Sequence, residues 1–238
     1  MFTLILKGTN GCNFSCRYCS VGPKETVHVA DEALLFQILQ YSADYCHVMG
    51  ENHLAVILHG GEPTLISSQV YQNAFQEFIS HYPDLDLHIS MQTNGFSLDD
   101  EMLCFLRNWN VSIGVSLDGG AAIHDMQRLD RTGHPTYDQV TQNILAFQKQ
   151  GLPVSCLMVL TQNGLRESFD YLRWFEEHQI PLKINPLLNY GEAMNHPELT
   201  LQSGDYGRYL IGVYEYILER DLSVRVSPLD KLLQPALP

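Results

Sequence analysis

The feature that most constrains how this chain can fold is an alternation of short apolar runs with longer amphipathic stretches. Runs that repeat every two residues read as strands, and stretches that repeat near every 3.6 read as helices, so their alternation is the signature of βα units. Expected strands cover 2–7, 54–59, 86–92, 111–117, 154–160 and 182–185. Each precedes an expected helix, at 31–45, 69–81, 99–108, 137–150, 165–178 and 205–220. The run Ser97-Leu98-Asp99-Asp100-Glu101 marks one helix start, because carboxylates suit the free N–H groups and positive dipole end there.

Repeated βα units build a parallel sheet whose ligands sit at the C-terminal strand ends. The unusual motifs of this chain all fall at such ends. A cysteine loop follows the first strand, Gly60-Gly61-Glu62-Pro63 the second and Thr93-Asn94-Gly95 the third. Ser116-Leu117-Asp118-Gly119 closes the fourth, and Asn185-Pro186-Leu187 closes the sixth. Five strand ends with polar or glycine-rich motifs point to one shared site.

A chain of 238 residues is long enough to bury a core without disulfide staples. Residues 1–227 read as one domain, and the proline-rich apolar run 228–238 reads as the start of a missing C-terminal extension. The net charge of −13 argues against binding nucleic acid, which draws on Lys and Arg. It suits a basic peptide partner or simple solubility. There is no basic leader and no apolar run of membrane-spanning length, so the chain reads as cytoplasmic and free of the membrane. The six cysteines, one tight triplet and three singles, fit a reducing compartment. The singles Cys46, Cys104 and Cys156 read as buried core.

The triplet Cys12-x-x-x-Cys16-x-x-Cys19 carries two chemical readings. Three thiolates on one loop suit three irons of a cubane cluster, with the fourth iron open to a ligand. A zinc site needs a fourth protein ligand, for which His28 and Cys46 are available without a familiar paired spacing.

A cysteine loop with Tyr18 before its third cysteine, followed by Gly60-Gly61-Glu62-Pro63, resembles the radical S-adenosylmethionine (SAM) superfamily. Within it, the pattern is similar to the branch of anaerobic sulfatase-maturating enzymes and peptide maturases with SPASM extensions. Its further motifs stand here as Gln92-Thr93-Asn94-Gly95, Ser116-Leu117-Asp118-Gly119, His124-Asp125-x-x-Arg128 and Gly133-x-x-x-Tyr137. The resemblance covers about residues 3–190. It implies an α/β fold forming a partial (β/α)6 barrel, a [4Fe-4S] cluster, and SAM chelated at the open iron. One electron then cleaves SAM to methionine and a 5′-deoxyadenosyl radical, which takes hydrogen from a C–H bond; protein groups orient the cofactors and exclude water.

Carried over residue by residue, the resemblance implies Cys12, Cys16 and Cys19 as cluster ligands and Tyr18 as the aromatic on adenine. Gly60 and Gly61 allow close backbone approach to the ligand. Glu62 offers its carboxylate to the methionine ammonium, or caps a helix, or pairs with a rim cation. Ser116 matches a ribose contact, Arg128 a guanidinium for the SAM carboxylate, and Leu187 a backbone contact to adenine. Asn94 and Asp118 lie on the same rim, placed for SAM or substrate, and Asp118 is the candidate catalytic group with turn chemistry as its plain alternative. His59, His124 and Asp125 read as structural supports, and Tyr206, Tyr209, Tyr214 and Tyr216 as packing.

The implied function is oxidative modification of a peptide or protein side chain, with a flavodoxin or ferredoxin as reductant. The cysteine-rich extension typical of that branch has no counterpart here. The alternatives are therefore a truncated relative that binds peptide without catalysis, a zinc-stabilised domain, and an enzyme acting on a small metabolite.

Overall fold

All six expected strands are present, each within two residues of its expected bounds at either end. The structure, a computed structural model, describes residues 1–22 and 26–232. In chain order the elements are β1 (Phe2–Thr9), β2 (Phe14–Cys16), α1 (Glu32–Met49), β3 (His53–Gly60), α2 (Ser68–His81), β4 (Asp86–Thr93), α3 (Asp100–Asn108), β5 (Ser112–Ser116), α4 (Ala121–Gln127), β6 (Arg128–Asp130), α5 (Tyr137–Lys149), β7 (Val154–Leu160), α6 (Leu172–Glu177), β8 (Leu182–Pro186), α7 (Asp205–Glu219), β9 (Val226–Ser227) and α8 (Leu229–Leu232). The helix starts follow local chemistry: Asp31 and Asp99 cap α1 and α3 by accepting from Leu34 N and Met102 N.

Two compact units make up the chain. The first comprises Met1–Asn13, Pro23–Gly114 and Gln142–Pro153. Its strands run β1-β3-β4-β5, with β1·β3 and β3·β4 parallel. The register of β1 shifts between Lys7 and Thr9, which sets Thr9 beside Gly60. The core is aliphatic on β3 (Leu54, Val56, Leu58) and aromatic on the helices. Tyr71 and Phe75 of α2 stack with Phe105 of α3, ring centroids 5.6 and 6.2 Å apart, and Trp109 tilts against Phe75 at 5.4 Å.

The second unit comprises Phe14–Gly22, Val115–Thr141 and Val154–Pro238. Its strands run β7-β8-β9, with β7·β8 and β8·β9 parallel. The paired β2 and β6 are antiparallel and set Cys16 opposite Arg128. Tyr209 of α7 is buried and shares a 2.7 Å hydrogen bond with Tyr171, and Tyr206 donates to the Ile184 carbonyl at 2.8 Å. These tyrosines pack as expected.

Three differences from the sequence expectation have physical causes. The helix expected at 165–178 is broken into turns at Gly164–Arg166 and Phe169–Tyr171 ahead of α6, because Glu167 and Ser168 are extended. That conformation lets the Glu167 carboxylate accept from Gly120 N at 2.9 Å, so a tertiary contact overrides helix propensity. The strands β2, β6 and β9 are too short for periodicity to reveal. Cys104 is exposed rather than buried, while Cys46 and Cys156 are buried as expected. Of the expected extension, 228–238, residues 233–238 lie outside the described residues. No described helix is long and apolar enough to cross a membrane.

Candidate active site

In the first unit, the Gly-Gly-Glu-Pro motif is fastened to the start of the cysteine loop. Gly61 N donates to Thr9 O at 2.8 Å, and Glu62 N donates to Gly11 O at 2.7 Å. A Cβ on Gly61 would lie 1.9 Å from Gly11 O, and one on Gly60, where φ is 124°, would lie 2.3 Å from Thr9 O. The close approach these two glycines permit is thus that of the chain's own backbone.

Glu62, 1% exposed, sits behind that junction. One carboxylate oxygen accepts from Thr64 N at 3.1 Å, Thr64 Oγ1 at 2.8 Å and Thr93 Oγ1 at 2.6 Å; the other accepts from Asn94 N at 2.7 Å. Glu62 caps the Pro63–Leu65 turn and ties β3 to the end of β4. Burial pushes its carboxyl up, and the four donors pull it only partly back. This is the capping role weighed for it from sequence.

Asn94, also buried, reaches the cysteine loop. Its Nδ2 donates to Asn13 Oδ1 at 2.7 Å and lies 3.8 Å from Cys12 Sγ, while its Oδ1 accepts from Phe96 N at 3.0 Å. Asn143 Nδ2 donates to the Gly95 and Phe96 carbonyls at 2.8 and 2.9 Å and holds the Thr93–Phe96 turn.

In the second unit the organising residue is Asp118, 0% exposed. Its Oδ1 accepts from Val159 N at 2.9 Å, and its Oδ2 accepts from Arg128 Nε at 3.0 Å and from the Tyr18 hydroxyl. Arg128 lies over the Tyr18 ring, 5.2 Å from its centroid, and points Nη1 at Cys16 Sγ across 3.9 Å. Burial opposes the guanidinium charge, but Asp118, with Tyr18 and Cys16, more than offsets it, and Arg128 stays charged. Burial pushes the Tyr18 phenol up, so it remains a donor. The rest of the Tyr18 side chain packs with Ala193, Leu199, Val159 and Leu187. The backbone N–H of Leu187 is spent on Leu160 O at 2.9 Å. Ser116, half-buried, ends β5 two residues before Asp118.

The His-Asp-x-x-Arg run braces this arrangement. His124 Nδ1 accepts from Asp118 N at 3.2 Å, which leaves the ring proton on Nε2 to be donated to Thr136 Oγ1 at 3.1 Å. Thr136 Oγ1 in turn donates to Arg128 O at 2.6 Å. Burial pushes His124 down to about 4, so the ring is neutral. Asp125 accepts from Thr136 N at 2.8 Å and Tyr137 N at 2.9 Å, at the start of α5. His124 and Asp125 are thus supports, as expected.

Glu167 is the functional-site neighbour that sequence reasoning missed. Its carboxylate lies against Gly119 and Gly120, where a Cβ would approach within 2.1 and 2.7 Å. Its Oε2 is buried without a hydrogen-bond partner among the described residues. Burial pushes its carboxyl up to about 7, and Asp118 adds to that. The Gly-Gly pair after Asp118 was the available signal, since two adjacent glycines leave room for a foreign side chain.

The cysteine loop itself suits a cluster. Cys12 belongs to the first unit and Cys16 and Cys19 to the second. All three are half-buried. Cys19 N donates to Cys16 O at 3.2 Å, and Glu192 N donates to Cys19 O at 2.9 Å, which shapes the loop around the thiols. Two sulfurs have N–H groups directed at them, Asn94 at Cys12 and Arg128 at Cys16. Hydrogen bonds to ligating sulfurs are among the features that set an iron–sulfur cluster's potential.

Comparison with known proteins agrees with this chemistry. Residues 6–175 match the Radical SAM superfamily. The cysteine-type anaerobic sulfatase-maturating enzyme of Clostridium perfringens is 27% identical over 247 residues, which cover 98% of this chain and 65% of that enzyme. The solved structure of native anSMEcpe with bound AdoMet and Kp18Cys peptide superposes with a TM-score of 0.83 at 23% identity, over 98% of this chain and 65% of that one. Streptococcus suis SuiB bound to precursor peptide SuiA superposes at 0.68 and 14% identity, over 94% of this chain and 48% of SuiB. These likenesses establish the α/β fold, and this chain spans just under two thirds of the sulfatase-maturating relative. With the family pattern matched over most of its length, the chain belongs to the Radical SAM superfamily.

Proposed function

We propose that this chain binds a [4Fe-4S] cluster on Cys12, Cys16 and Cys19, binds SAM beside it, and oxidises a side chain of a peptide or protein. The observation that carries this reading is the pair of N–H donors, Asn94 and Arg128, that two separate motifs aim at cysteine sulfurs. When bound, the cluster and SAM supply a one-electron cleavage that yields a 5′-deoxyadenosyl radical able to take hydrogen from a C–H bond.

The chain's own residues bind and orient. Arg128 spends Nε on Asp118 and aims Nη1 at Cys16, and its Nη2 is assigned to the carboxylate of SAM. Asp118, with both oxygens engaged, is assigned to positioning Arg128 and Tyr18 rather than to proton transfer. Tyr18 and Leu187 supply an apolar wall for adenine, and Ser116 a polar contact for the ribose. Gly60, Gly61, Glu62 and Asn94 hold the first turn of the cysteine loop in place. A peptide substrate is supported by the Kp18Cys and SuiA peptides bound to the two related structures. A flavodoxin or ferredoxin is the proposed electron donor, and no proton acceptor is assigned.

The test is anaerobic. Protein reconstituted with iron and sulfide is given SAM and a strong reductant, and 5′-deoxyadenosine is quantified against the Cys12/Cys16/Cys19→Ala variant. Formation by the wild type alone supports the reading. Cluster and SAM binding without cleavage supports a binding-only relative, and zinc without sulfide supports the structural alternative.

A further inference from the structure

The N-terminal ends of β3 and β4 carry a second group of metal-ligating side chains, about 23 Å along the strands from Gly60 and Thr93. His53 opens β3 and Asp86 opens β4, and the two are paired directly in parallel register. Side chains alternate along a strand, so His88, two residues after Asp86, shares the face of both. The result is local and geometric. Asp86 Oδ2 lies 2.9 Å from His53 Nδ1 and 3.0 Å from His88 Nε2, and the imidazoles stack with centroids 6.3 Å apart. The three ligand atoms all lie within 4.8 Å of one another.

We propose that His53, Asp86 and His88 form a binding site for a divalent transition-metal cation, with zinc as its representative. Bonds of about 2.0–2.1 Å in a tetrahedral site put ligand atoms about 3.3 Å apart, so the separations from Asp86 need to open by only about 0.3–0.4 Å. Each imidazole carries its proton on the other nitrogen when it ligates. The side chains are 43%, 54% and 58% exposed in the order His53, Asp86, His88, so the cation enters directly and water completes its shell. Two imidazoles with one carboxylate favour zinc, cobalt or nickel over magnesium or calcium, which prefer all-oxygen shells. Bound there, the cation cross-links the beginnings of two adjacent strands of the first unit. The site is independent of the cysteine loop and of the function proposed for it.

Equilibrium dialysis against buffered Zn2+ tests the site on cluster-reconstituted protein, with metal quantified by mass spectrometry. The Cys12/Cys16/Cys19→Ala variant, run in parallel, removes the cysteine loop as a competing zinc site. The expected result is a single zinc equivalent with micromolar affinity in both proteins and a zinc-dependent rise in melting temperature. His88→Ala and His53→Gln are each expected to weaken binding roughly 100-fold, the upper end of what is lost when even an outer partner of a metal ligand is removed. Cluster iron and 5′-deoxyadenosine output should be unchanged in both. Absence of zinc binding in the triple-alanine protein, or affinity unaltered by His88→Ala and His53→Gln, overturns the proposal.

Discussion

Glu62 and Asp118 are both buried carboxylates at the ends of motif-bearing strands, yet their surroundings differ in kind. Among the described residues Glu62 has four neutral donors and no cation, whereas Asp118 has a guanidinium, a phenol and a backbone N–H. The first arrangement leaves the carboxyl shifted up by burial. The second is an ion pair whose charges each depend on the other, since a buried charge without a partner is far more costly than a buried neutral group. A neutral network therefore tolerates loss of one member, and an ionic one does not.

Removing the cation is the most severe way to break that contrast. Arg128→Met should cost about 3–5 kcal/mol in urea unfolding, because Asp118 is left charged, buried and unpaired. A loss below about 1 kcal/mol would mean that Asp118 finds another partner, and the contrast with Glu62 would fail.

A smaller effect, about 3 kcal/mol, should follow from pH at His124, the neutral brace beneath the ion pair. The folded imidazole titrates near 4 and the unfolded one near its ordinary value of about 6.5, so the unfolded state takes up the proton first. This contribution is complete above about 6.5 and is lost as pH falls toward about 4. Urea midpoints across that window should fall more steeply in the wild type than in His124→Gln. Equal slopes would remove His124 from the network.

The mildest substitution should be Glu62→Gln, at about 1–3 kcal/mol near neutral pH. The amide nitrogen turns a donor toward a donor, but no cation loses its partner. Because the Glu62 carboxyl is shifted up, its stabilising contribution is complete below its unfolded value and is lost as pH rises. The gap between wild type and variant should then widen as pH falls. A cost equal to that of Arg128→Met would show the two networks to be alike.

Legibility from sequence tracked distance along the chain. Strand positions came within two residues because each rests on its own alternation. Asp99 was readable as a cap because its partner, Met102 N, is three residues away. Cys104 was misplaced because local apolarity outweighed phase: the buried face of α3 runs through Met102, Phe105 and Leu106, and position 104 lies off it. The break at Glu167 depends on Gly120, 47 residues earlier, and no local pattern announces it. The same holds for the β2–β6 pair, three residues to a strand, which is what brings Arg128 opposite Cys16.

By itself the sequence determined the βα alternation, the cysteine spacing and the family pattern, since periodicity and covalent spacing are local properties that survive without a fold. Only the tertiary structure decided what each motif residue contacts: that Gly60 and Gly61 make room for backbone, that Glu62 reaches Thr93 and Asn94, and that Asp118 anchors Tyr18 and Arg128. Those roles rest on contacts between residues ten to a hundred positions apart. A buried polar group takes whichever donor or acceptor the packed chain brings to it.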